Sequence, residues 1–188
     1  MFVIGLPIVV AALALRPPVI LFEDARGINC PYNSIAAADL LVAEAVERER
    51  RPPRGDDSAA LARVSAIMQA CADEYAWTPN RASAALNNAI GLVMRDKAVE
   101  VLRGRGLDVH FLDEVQAELG QSGIAALLSS ARDSNLDHAA DVAMRRLVAR
   151  GHDIPPGSEE WVRLGHEIAR GLFGLALANR SAGDFTLQ

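Results

Sequence analysis

His166 and Glu167 open the run His-Glu-Ile-Ala-Arg, which ends at Arg170. A helix that holds catalytic zinc carries a second His four residues after the first, so that both imidazoles reach one ion, with a Glu between them as base. Here that fourth position is Arg170, a cation that would repel the metal. The remaining histidines, His110, His138 and His152, lie in separate segments, so the sequence signals no metal site and implies no cofactor. His138 has Asp137 and Asp141 near it, a setting that suits acid–base work. The same carboxylates also suit the start of a helix, where they complement its dipole, and that plainer reading is preferred. Asp113, Glu114 and Glu118 can share a helix face, but they lack the paired Glu and Glu-x-x-His pattern of di-iron bundles. No Gly-x-Ser-x-Gly elbow, phosphate loop or Gly-rich dinucleotide turn is present. The expectation is a chain without catalytic residues, not an enzyme.

Two basic clusters are the remaining candidates for a site. Arg48, Arg50 and Arg51, followed by Arg54, form one, and Arg145, Arg146 and Arg150 form the other. Guanidinium groups bind phosphate well, so each cluster is a candidate DNA contact. Both also fall at expected helix C-termini, where cations complement the dipole, and a solvated helix end is the more economical reading. With 19 Lys and Arg against 24 Asp and Glu, the net charge of -5 gives no overall attraction to a polyanion, so any nucleic-acid contact must be local.

The elements that carry these residues are helical. The chain has 188 residues, 51% of them hydrophobic but only 5% aromatic. Its apolar content is largely Ala and Leu, which favours closely packed helices. The sequence predicts an all-α fold: an irregular bundle of about six or seven helices with an apolar N-terminal segment. Ser34 is expected to cap a helix to about Arg50. "RPPRGDD" at 51–57 forms a linker where a domain boundary would fall. A second helix from Asp57 or Ser58 aligns Leu61, Val64, Met68, Cys71 and Tyr75 on one stripe. Thr78 and Pro79 start a third, running to about Arg103. Shorter helices are expected over 107–119, ending at Gly120, and over 122–130. Ser134 to Asp137 has the form of a capping box for a helix to Arg150, with Gly151 as its C-cap. Ser158 caps the last helix, whose stripe is Trp161, Leu164, Ile168, Leu172 and Leu175.

Residues 1–33 are set apart from the helical domain 34–188 by their composition, apolar from Phe2 to Phe22. Arg16, Pro17 and Pro18 leave about 14 apolar residues against the roughly 20 that a membrane span needs, so no span is expected. A secretory signal would want positive charge before the apolar run; "ALA" at Ala12–Ala14 is a passable cleavage site, but Pro7 interrupts the run. The preferred reading is two short extended or helical pieces that cover the core or pair with another copy or another protein. Cys30 and Cys71, 41 residues apart and in no Cys-x-x-Cys motif, are expected to be reduced thiols in a cytoplasmic protein, Cys71 as a small core residue.

In the last quarter of the chain, Gly151, Ile154, Ser158, Trp161, Leu164 and Gly183-Asp184-Phe185 follow a pattern of helix stop, capped aromatic start and Ala-rich helix closing on Gly-Asp-aromatic. Leu136–Phe185 thereby resembles the helical segment before the catalytic domain of phage-type tyrosine recombinases (integrases). The recombinase Arg, Lys, His-x-x-Arg and Tyr have no counterparts, so the resemblance implies a non-catalytic arm acting by protein or weak DNA contacts. The alternative expectation is a helical oligomerisation or protein-interaction module unrelated to recombination.

Overall fold

The computed structural model describes residues 27–107, 110–129 and 132–187. These form seven α-helices, with no strand among the described residues, as an all-α bundle requires: α1 Cys30–Ser34, α2 Ala37–Glu49, α3 Asp56–Tyr75, α4 Pro79–Arg103, α5 His110–Ala126, α6 Arg132–Ala149 and α7 Glu159–Thr186. The apolar stretch Phe2–Phe22, with the pairing expected of it, lies outside the described residues.

Helix boundaries follow the sequence where a single local device sets them. Thr78 Oγ1 accepts a hydrogen bond from the Arg81 amide at 3.2 Å, and Ser158 Oγ accepts one from the Trp161 amide at 3.1 Å. Each satisfies one of the amides that a helix N-terminus leaves without an intrahelical acceptor. Gly120, at φ 67°, interrupts α5 at the position where two shorter helices were expected to meet. Two other starts are corrected. Ser34 ends α1 instead of capping α2, which begins after Ala36, because Cys30–Ser34 with Pro31 in its first turn closes a short helix of its own. Helix α6 begins at Arg132, so Ser134–Asp137 lies inside it, and the Asn135 amide reaches back to the Ala126 carbonyl at 2.8 Å.

Helices α4 and α7 cross antiparallel through the centre of the bundle, and glycine makes the crossing possible. A Cβ on Gly91 would stand 2.4 Å from the Gly174 carbonyl oxygen, and one on Gly174 2.5 Å from that of Gly91. A Cβ on Gly171 would meet Ala98 Cβ at 2.3 Å. The two backbones are therefore in direct contact, which opposes the conformational cost of glycine inside a helix. Around this axis Met94, Leu102, Phe111, Leu112, Leu147, Leu164, Ile168 and Leu172 belong to one buried cluster that draws on α2 to α7. A smaller cluster closes the other end, where Phe185 packs edge-on against Trp77 at 5.5 Å beneath the Arg81 guanidinium.

The expectation of two reduced cysteines is overturned. Cys30 of α1 and Cys71 of α3 form a disulfide, with Cα atoms 6.0 Å apart, within the range a disulfide spans without backbone movement. Cys71 is buried, as expected of a core residue, but as half of a cross-link. Spacing gave no hint of the pair, because the chain between them forms the rest of α1, all of α2 and most of α3 before the sulfurs meet. A cross-link of this kind typically contributes about 2–4 kcal/mol, chiefly by restricting the unfolded chain.

Candidate functional site

Charged side chains from three helices, α2, α6 and α7, converge on one cleft, to which α4 adds an apolar side chain. Glu44 and Arg48 are one turn apart on α2, and Asp133, Leu136 and Asp137 follow the same spacing on α6. His166, Arg170 and Phe173 lie four and three residues apart on α7, the period that places side chains on one face. With Met94 of α4 they line a cavity of about 360 Å³. A neighbouring cavity of about 310 Å³ shares Glu44, Arg48 and Phe173 and adds Glu47, Arg50, Asn87, Ile90 and Leu177.

Glu44 anchors this arrangement. Its carboxylate is buried and lies between two guanidinium groups, Arg48 at 3.3 Å and Arg170 at 3.5 Å. The pairing explains Arg170, whose place in the His-Glu-Ile-Ala-Arg run would have held the second zinc ligand: it points to a carboxylate of α2. His166 Nε2 instead lies 3.3 Å from Asp137 Oδ1 on α6, both side chains largely exposed. Glu44, Asp133, Asp137 and His166 do not gather as a metal-ligand set, and no such set occurs among the described residues.

The lining limits the chemistry that the cleft can perform. Neither cavity is lined by Ser, Thr, Cys, Tyr or Lys, so the usual hydroxyl, thiol and amine nucleophiles are missing. Carboxylates and one imidazole remain for proton transfer. The cleft also has an apolar wall of Met94, Leu136 and Phe173. Charges of both signs beside an apolar surface suit binding a partner by combined packing and ion pairing.

The basic residues singled out in the sequence are mostly engaged within the fold. Arg48 pairs with Glu44 and lies 3.4 Å from Glu49. Arg51 is 2.5 Å from both Glu49 and Asp57, clamping the turn between α2 and α3. Arg145 is 3.2 Å from Asp141. Arg146 reaches Glu114 and Glu118, each at 2.9 Å, and Arg150 pairs with Glu114 while lying over the Phe111 ring. Of the seven, only Arg50, in the left-handed cap of α2, and Arg54, which meets Asp57 through its backbone amide, have no carboxylate at ion-pair distance from the guanidinium among the described residues.

The acidic candidates are divided in the same way. Asp137 turns to His166 and Asp141 to Arg145, so the expected neighbours of His138 are drawn elsewhere. His110 pairs with Asp113 one turn on. Burial opposes ionisation of Glu114, but hydrogen bonds from Arg146 and Arg150 outweigh it and hold the carboxyl below its ordinary range. The convergence of Glu44, Arg48 and Arg170 was missing from the sequence reading. Its only local trace is two pairs at i and i+4 spacing, Glu44 with Arg48 and His166 with Arg170.

No family model, curated protein or solved structure matches the chain. The residues that carry the recombinase-like pattern have local structural duties. Gly151 takes a φ of 87°, Ser158 caps α7, and Ile154, Leu164 and Phe185 are buried.

Proposed function

We propose that this chain is a non-catalytic helical binding module acting through protein contacts, with the cleft between α2, α4, α6 and α7 as the docking place. The carrying observation is the cleft lining, in which Glu44, Arg48, Asp133, Asp137 and Arg170 surround Met94, Leu136 and Phe173. Such a surface offers an incoming segment both apolar contact and paired charges, while lacking the usual nucleophiles. Contact with DNA through Arg145, Arg146 and Arg150 is the weaker reading, because a phosphate would have to compete with the carboxylates already bound to them. In the protein-contact reading, the recombinase-like pattern of Leu136–Phe185 reflects a shared way of capping and packing two helices.

A photo-crosslinking residue placed at Asp133, on the cleft rim, tests the proposal against the same residue at the exposed Asp73 of α3. In extracts of the source cells the Asp133 variant is expected to form a discrete protein adduct that the Asp73 variant does not. Equal labelling from both positions, or labelling of nucleic acid alone, would contradict a protein-docking cleft.

A further inference from the structure

The disulfide sits in an interface that the surrounding residues also hold shut. Asn88 of α4 donates to the Asn29 side chain at 3.1 Å, and the Tyr32 hydroxyl donates to Asp96. Gly27 lies so close to the Tyr75 ring that a Cβ there would stand 2.6 Å from the ring carbon. Three non-covalent contacts thus place the N-terminal end of the described chain against α3 and α4, and the Cys30–Cys71 bond joins the same surfaces. Cys71 is 2% exposed, so a reductant or partner thiol has little access to its sulfur. This is the setting of a structural cross-link, and there is no other cysteine in the chain for it to exchange with.

Such cross-links form and persist in oxidising compartments, whereas the cytosol keeps thiols reduced. A second observation comes from the sequence upstream. Phe2–Phe22 is almost wholly apolar, and Ala12-Leu13-Ala14 offers the small-x-small pattern of a leader cleavage site. Cleavage after Ala14 would leave Gly27, both cysteines and all seven helices in the product. From these two features we infer that the chain is exported and works in an oxidising compartment, delivered by its apolar N-terminal stretch and locked by Cys30–Cys71 on arrival.

The experiment is to separate the source cells into cytosolic and extracytosolic fractions after blocking thiols in the intact cells with a maleimide that adds a visible mass. The full-length gene product is expected outside the cytosol, with a new N-terminus downstream of Ala14. It should take up no maleimide until a reductant is added, and then two per chain. A product that takes up two maleimides without reductant overturns the inference. So does a product that fractionates with the cytosol, whatever the state of its thiols.

Discussion

Arg63, Arg146 and Arg150 hold carboxylates of other helices and Arg51 holds Asp57 across the turn between α2 and α3, and this sets how the protein responds to acid. The Arg63 guanidinium binds Asp39 through two hydrogen bonds, at 2.8 and 2.6 Å, and holds its carboxyl below the ordinary range. Arg51, helped by the Arg54 amide, does the same to Asp57, and Glu114 is lowered as described above. When a folded carboxyl titrates below its unfolded counterpart, the unfolded chain binds protons first as pH falls, so acid favours unfolding. The stability these groups contribute is present in full above the unfolded values, about 4, and is lost as pH falls through the folded ones. Urea midpoints are therefore expected to be nearly flat from pH 5 to pH 7 as far as these groups are concerned, and to fall steadily below about pH 4. In Asp39→Asn the acid-side loss should be shallower, and an unchanged slope would remove Asp39 from the explanation. Single-helix pairs such as Asp141 with Arg145 leave an i and i+4 spacing in the sequence, although the reading of the residues set Asp141 beside His138 instead. Pairs such as Arg146 with Glu114 and Arg170 with Glu44 leave none, because they depend on which helices become neighbours.

At the scale of elements, the α4–α7 crossing determines whether the bundle assembles. Gly171 and Gly174 are three residues apart on α7, facing Ala98 and Gly91 on α4 with no room for a methyl group. Gly174→Ala is expected to destabilise the fold by about 1–3 kcal/mol, the usual range for overpacking a tight core. Gly183, also in α7, has no atom within 4 Å of the site a Cβ would occupy. Gly183→Ala should be neutral or stabilising by up to about 1 kcal/mol, since it lowers the backbone entropy of the unfolded chain at no steric cost. Equilibrium unfolding in guanidinium chloride checks the contrast, and equal effects at the two positions would contradict a glycine-dependent crossing. The sequence located the starts of α4 and α7 closely because Thr78 and Ser158 each accept a hydrogen bond from the amide three residues on, and Pro79 suits the first turn of α4. Periodicity passed over the glycines, whose role depends on a helix some 80 residues away in sequence, and it passed over α1 because five residues are too few to show a period.

For the whole molecule, the helical class followed from composition, while the disulfide and the cleft appeared only in three dimensions. Both join residues far apart in the chain, Cys30 to Cys71 and Glu44 to Arg170, and neither leaves a motif. The function proposed depends on the same long-range geometry: arginines that look available for DNA in the sequence are held by carboxylates in the fold. The most direct test is a DNA-binding titration of the intact, oxidised protein at two salt concentrations, about 50 and 200 mM, where phosphate contacts would change affinity by orders of magnitude. Weak affinity that Arg145→Ala combined with Arg146→Ala leaves unchanged is the expected result. Tight, steeply salt-dependent binding that the same double variant abolishes would contradict the protein-contact reading and return those arginines to a nucleic-acid interface.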